Sequence, residues 1–167
     1  LREQKRKNEP QGLLPFQYDP TGEIDEVTGR GGLPLVLETF RALELEKAVA
    51  KHVHIRKRNS GFSEAEHIEA LVLLMAAGGE CLDDMAILGA DKGLLRLVEK
   101  EKLPSADAAR QFLLSFHDEK LLADARAKLA PDEKALVAPE SEALRGLGRV
   151  VAHLVERVDR HRPAQIA

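Results

Sequence analysis

The chain has 167 residues and a formal net charge of -3, so it can form one ordinary domain or two small ones, and it is too acidic for a general polyanion binder. Hydrophobic residues make up 44% of the chain and aromatic residues only 4%, so the core must consist mainly of Leu, Ala and Val, which favours helices over strands. A single cysteine, Cys81, excludes an intramolecular disulfide and favours a reducing, cytoplasmic setting, and no apolar run approaches the ~20 residues that a membrane helix needs.

The charge is unevenly distributed along the chain. Residues 1–60 carry a net charge of +2, residues 61–140 a net charge of -7 and residues 141–167 a net charge of +2. A chain that bound nucleic acid over its whole surface would be basic throughout. Any nucleic-acid contact is therefore expected to use local basic patches.

The two ends of the chain carry little regular pattern. Residues 1–32 are polar or rich in Pro and Gly and are expected to form a flexible or irregular segment. The sequence starts at Leu and stops at RPAQIA without a closing element. Both ends are therefore expected to be cuts in a longer protein.

The first helical signals begin at Pro34. Two helices are expected at about 33–43 and 44–52, and a capping box, in which Ser63 and Glu66 satisfy each other's backbone N–H groups, begins a third that stops at Gly78. The third helix is apolar almost all round and is expected to be the central buried helix. The positions expected to face the core in these three helices are Leu35, Leu37, Phe40, Leu43, Ala48, Val49, Ala70, Leu71, Leu73, Leu74 and Met75.

Further helices follow towards the carboxyl end. Short ones are expected in CLDDMAILGA and DKGLLRLVEK, and Ser105 and Asp118 are expected to be the N-caps of the next two, the second ended by Pro131. Residues 131–140 form a polar connector, and a helix of roughly 30 Å occupies 141–162, regular to about Arg160. The positions expected to face the core are Ala109, Phe112, Leu113, Phe116, Leu144, Leu147, Val151, Leu154 and Val158. The sequence thus predicts an all-α fold, a compact bundle of about seven helices with its main domain at 33–130.

The sequence offers no catalytic residue and no metal site. His52 and His54 are only two potential ligands, and exposed histidines in a basic loop are the simpler interpretation. Asp83 or Asp84 suits the start of a helix, and Cys81 is expected to be a small buried hydrophobic residue. The run GRGG lacks the ending and the preceding strand of a phosphate-binding loop.

Two features favour nucleic-acid binding. The first is the basic stretch KHVHIRKRNS, in which Lys51, Arg56, Lys57, Arg58 and Asn59 are suitable donors to phosphate oxygens. The alternative is a solvated run of charge.

The second feature is a helix-turn-helix-like unit from Cys81 to His117. Its last helix, capped by Ser105, carries Arg110 and Gln111 outside the apolar face, and both side chains can make two hydrogen bonds to a base edge in the major groove. The alternative is an ordinary surface helix.

The order of these segments resembles a known family. The runs TGRGGLPLVLETFRAL, KRNSGFSEAEHIEALVLLMAAGGECLDDMAIL, ADKGLLRLV and LPSADAARQFLLSFHDEKL are similar to the N-terminal region of bacterial insertion-sequence transposases of the DDE, RNase H-like class. The resemblance covers nearly all of residues 16–162. It implies a region that binds double-stranded DNA at terminal inverted repeats, helps homo-oligomerisation and is located in the bacterial cytoplasm at the nucleoid.

The resemblance also implies a catalytic domain that this chain lacks. In the family, three carboxylates bind divalent metal, usually Mg, and the first lies on a strand soon after the last helix seen here. No catalytic residue of the family can be carried over, so the fragment itself is expected to be non-catalytic and without a cofactor.

Two other functions remain open. The chain can be a helical protein–protein interaction module without DNA contact, using the final helix and 33–43 as a subunit interface, which the acidic centre supports. It can also be a truncated helix-turn-helix regulator that competes for the same DNA ends. A downstream reading frame with Asp on the next strand would exclude the regulator.

Overall fold

The computed structural model describes residues 27–55, 61–128 and 136–160. These parts contain eight α-helices and one 3-10 turn, and no strand, so the all-α prediction is confirmed with one helix more than expected. The elements are α1 (Leu33–Ala42), α2 (Leu45–His52), α3 (Glu64–Ala76), the 3-10 turn Leu82–Asp84, α4 (Met85–Ala90), α5 (Lys92–Leu97), α6 (Ala106–Leu114), α7 (Glu119–Ala127) and α8 (Glu142–Arg160). The expectations for residues 1–26 and for the end at Pro131 lie outside the described residues.

The predicted helix starts are confirmed. Ser63 Oγ accepts the backbone N–H of Glu66 at 3.1 Å, and Glu66 Oε2 accepts the N–H of Ser63 at 2.7 Å, which is the predicted capping box. Ser105 caps α6 and Asp118 caps α7 through backbone N–H groups of their first turns. Each cap satisfies donors that have no partner inside the helix, so sequence alone determines these boundaries.

Helix α3 lies between two hydrophobic clusters, as expected of a central helix. It contributes Leu73 to a cluster formed with α1, α4, α5 and α6, and Ala65 to a second cluster formed with α2 and α8. The helix ends before Gly78, whose φ of +83° is a left-handed conformation that favours glycine. The prediction for Met75 was wrong, because it is 71% exposed at the end of the helix.

Helix α8 packs mainly against α2, but through a different face from the one predicted. Its buried residues are Gly146 and Val150, whereas the predicted positions Leu144, Val151 and Val158 are 42%, 55% and 46% exposed. The physical reason is the glycine, which has no side chain to keep the two backbones apart. A Cβ atom at this position would lie 2.1 Å from the carbonyl oxygen of His52.

Three further burial predictions were wrong. Leu35 is 49% exposed, because α1 buries Leu33, Pro34 and Leu37 instead. Leu113 is 42% exposed, because α6 packs through Ala109 and Phe112. Cys81 is exposed, since it lies in extended backbone just before the 3-10 turn. The apolar arcs of α1 and α6 are wider than the faces the core uses, and spacing does not say which part is buried.

Candidate nucleic-acid interface

The predicted basic stretch follows the end of α2. Lys51 is exposed in the last turn of that helix, and Arg56, Lys57, Arg58 and Asn59 lie outside the described residues. The described neighbours define where the segment leaves and returns. Val53 donates its N–H to Val49 at 2.8 Å and is buried, and the chain resumes at Gly61, two residues before the N-cap of α3.

Helix α8 adds an arginine to this end of α2, which sequence reasoning missed. Burial lowers the pKa of the His52 imidazole, and the charges of Lys51 and Arg149, with His153 and His54, lower it further. A depressed histidine pKa is the mark of a locally positive environment. We call Lys51, His52, His54 and Arg149 the basic edge. Nothing near these residues in sequence predicted the fourth member.

The N-terminal half of α8 carries more positive than negative charge. Glu142 Oε1 accepts a hydrogen bond from Arg149 at 2.6 Å, and Glu142 Oε2 lies 3.2 Å from Arg145. The hydrogen bond from Arg149 and the charges of both arginines lower the pKa of the Glu142 carboxyl. One carboxylate therefore serves two guanidinium groups, and the helix contributes a net positive charge beside the basic edge.

The predicted base-reading residues lie on α6. Ser105 is exposed, and its Oγ accepts the N–H of Ala108 at 3.2 Å, so this hydroxyl acts as a helix cap. Arg110 is half exposed and pairs with Asp107 at 2.7 Å and with Asp83 of the 3-10 turn at 3.5 Å. Gln111 is exposed. The sequence placed Arg110 correctly on an outer face, but the ion pair to Asp83 arises only because α6 packs on the 3-10 turn.

An aromatic cluster connects α6 to the segment that follows the basic stretch. The His67 ring stacks on Phe112 with centroids 4.6 Å apart, and Phe62 meets His67 edge to face at 5.9 Å. Phe116 packs at 5.2 Å against Phe112, and its carbonyl oxygen accepts the hydroxyl of Ser141 at 2.6 Å. The C-terminal end of α6 is thus held between α3 and the start of α8, and both ion pairs of Arg110 point to the opposite end.

The acidic pair before α4 has structural roles. The Asp84 carboxylate accepts the backbone N–H groups of Glu80 at 2.8 Å and Cys81 at 3.1 Å, and these bonds lower its pKa. This confirms the prediction of an acid at a helix start. Over 27–55, 61–128 and 136–160, no three His, Cys, Asp or Glu residues come together in a way that could hold a metal ion.

An open groove of about 940 Å³ lies between α1, α2, the start of α3 and residues 99–104. Its charged side chains are largely matched within the chain. Glu44 pairs with Lys47 at 2.7 Å and with Arg157 of α8 at 3.0 Å, and Lys100 pairs with Glu69 at 2.8 Å. These pairs join α2 to α8 and α3 to the segment after α5, so the charges of the groove serve the fold.

Comparisons with protein-family models, with curated proteins and with solved structures gave no match to this chain. None of the helices in the described parts of the chain has the length and apolar character required to cross a bilayer.

Proposed function

We propose that this chain is a helical DNA-binding module that contacts backbone phosphates through the basic edge and the Arg56–Arg58 stretch that continues from it. The observation that carries the proposal is that α8 places Arg149 beside Lys51, His52 and His54. Cations from two helices then adjoin three more that follow directly in sequence. Clustered cations of this kind bind phosphate oxygens and fix the position of a protein on a duplex.

The resemblance in sequence makes the proposal more specific. We propose that the module is the DNA-binding and assembly region of a DDE transposase and recognises the ends of a mobile element. Arg110 and Gln111 are the proposed base readers. Arg110 would have to exchange Asp107 and Asp83 for a base edge, which costs little because exposed ion pairs contribute only about 0–1 kcal/mol each.

The acidic surroundings limit how the module can approach DNA. Asp83 and Asp107 are 80% and 84% exposed beside Arg110, so phosphates are repelled from that end of α6. The basic edge, in contrast, lies where two arginines share one carboxylate. Phosphate binding is therefore expected at the α2–α8 end of the molecule.

The experiment is binding to a labelled terminal-repeat duplex and to a scrambled duplex across a salt series. Reversing the charge of Lys51 and Arg149 together (K51E, R149E) is expected to weaken binding at least about tenfold and to reduce the slope of log K against log salt by about 2. The matched control reverses Lys92 and Arg96 on α5, which are exposed and outside the basic edge. Equal losses for both pairs would refute the proposed interface.

Sequence recognition is tested separately with R110A and Q111A. These variants are expected to reduce the preference for the terminal repeat over the scrambled duplex by about 1–3 kcal/mol while leaving the salt slope nearly unchanged. An unchanged preference would remove α6 from the interface but would leave the phosphate contacts in place.

A protein–protein interaction module without DNA contact is the second candidate. It is favoured by the exposed apolar residues of α8 and by the carboxylates that pair with Arg110. In contrast, α1 buries Leu33, Pro34 and Leu37 in its own core, so those residues are not available to a partner. Weak binding to both duplexes, with no effect of K51E and R149E, would favour this second function.

A further inference from the structure

Helix α8 has an apolar stripe that the rest of the described chain does not cover. Val150 is 2% exposed against α2, but Val151, which follows it and points about 100° further round the helix, is 55% exposed. Leu144, Val155 and Val158 share the side of Val151 and are 42%, 56% and 46% exposed. We call Leu144, Val151, Val155 and Val158 the outer stripe.

The outer stripe is too regular to be a chance group of surface residues. With the half-buried Leu147 and Leu154, which border it, the apolar positions alternate at intervals of three and four residues, the spacing of a seam between two helices. Contiguous apolar surface along several helical turns marks an interaction site, whereas single exposed apolar residues do not. Gly148 has nothing within 4 Å of an added Cβ, so a second helix can approach closely here.

We propose that the outer stripe pairs with the outer stripe of a second copy of this chain, with the two α8 helices antiparallel. The charges on one flank of the stripe favour this orientation. Arg145 lies at the N-terminal end of that flank and Asp159 at its C-terminal end. An antiparallel pair places each arginine near the partner's aspartate, whereas a parallel pair would place like charges together at both ends.

The arrangement of α8 on its own domain allows this pairing without rearrangement. Gly146 and Val150 attach the helix to α2, and Arg157 binds Glu44 at 3.0 Å, so the inner face is occupied while the outer stripe is exposed. Val151 lies midway between Leu144 and Val158 and is the expected two-fold centre. The pairing deepens the assembly role proposed above, but it does not depend on DNA contact.

The first test measures the oligomeric state of the full chain by sedimentation across a concentration series. The wild-type chain is expected to dimerise, and V151D with V155D is expected to raise the dimer dissociation constant by about 100-fold or more, since each buried valine is worth roughly tenfold in affinity. The matched control is Ile87→Asp on α4, an equally exposed aliphatic residue, which leaves dimerisation unchanged.

Three results of this test would overturn the proposal. They are a wild-type chain that stays monomeric at all concentrations, a V151D and V155D variant that dimerises normally, and an effect of I87D equal to that of the stripe variant. A monomeric wild-type chain that is strongly destabilised by V151D and V155D would show that the chain covers the stripe itself.

The second test determines orientation by disulfide cross-linking in a C81S background, because Cys81 is exposed. Antiparallel pairing predicts that L144C mixed with V158C gives a cross-linked dimer, while each variant alone does not. Cross-linking of either variant with itself would refute the antiparallel seam. Duplex binding by the V151D and V155D monomer is measured in parallel, so failure of the dimer and failure of the proposed DNA contact are distinguished.

Discussion

Gly146→Ala tests whether the close contact between α2 and α8 determines the arrangement of the basic edge. An added Cβ would lie 2.1 Å from the His52 carbonyl oxygen and 3.1 Å from the carbonyl carbon. The obstacle is backbone, so a change of side-chain rotamer cannot relieve the overlap. To reach an ordinary contact of about 3.4 Å, α8 must move about 1.3 Å away from α2.

The size of the effect follows from two opposing terms. Alanine in place of glycine inside a helix stabilises by roughly 1 kcal/mol. Overpacking of a buried contact costs about 1–3 kcal/mol, and a clash with backbone belongs at the upper end of that range. We therefore expect G146A to lower the free energy of unfolding by about 2 kcal/mol.

The matched control is Gly148→Ala, two residues along the same helix. No atom lies within 4 Å of its added Cβ, so only the helix propensity changes and the variant is expected to gain up to about 1 kcal/mol. Urea unfolding followed by circular dichroism measures both variants, with equal m-values as the condition for comparison. A G146A variant as stable as G148A would refute the close packing of α8 on α2.

Two further variants test local contacts. Ser63→Ala is expected to cost about 1 kcal/mol in urea unfolding because it removes the capping box of α3, whereas Thr39→Ala, which loses a hydroxyl on an exposed helix face, should change the free energy of unfolding by less than about 0.5 kcal/mol; similar losses for both would contradict the role of the cap. Burial raises the pKa of the Asp91 carboxyl, but hydrogen bonds from Thr28, a backbone N–H and Arg30 outweigh this and lower it below the usual 3.8. A lowered carboxyl pKa adds stability that is present above the unfolded-state pKa and is lost as pH falls through the folded-state value. Asp91→Asn is therefore expected to cost about 1–2 kcal/mol at pH 7 and clearly less below about pH 3, and an equal cost at both pH values would contradict this linkage.

Several parts of the site could be predicted from sequence because their causes are local. The caps at Ser63, Ser105 and Asp118 act on backbone groups two or three residues away, so the residue type and its spacing predict them. The exposure of Lys51 and Gln111 also follows from their places outside the apolar positions of α2 and α6. These features require no knowledge of how the helices pack.

Other parts required the packing of distant segments. Arg149 joins Lys51 because a glycine in α8 meets a carbonyl group at the end of α2, and no local pattern encodes that meeting. Arg110 acquires Asp83 as a partner because α6 packs on the 3-10 turn. A side chain's electrostatic environment is a sum over neighbours in space, so sequence order alone does not supply it.

The last helix shows the division between sequence and tertiary structure. The sequence by itself determined that α8 is a helix and that it is amphipathic, because the apolar spacing and Ser141 at its start are local properties. Only the tertiary structure decided that Gly146 and Val150 face the domain while Val151 and Val158 remain outside. A helix with apolar residues over a wide arc can dock through any part of it, and the part that allows the closest backbone approach is the one used here.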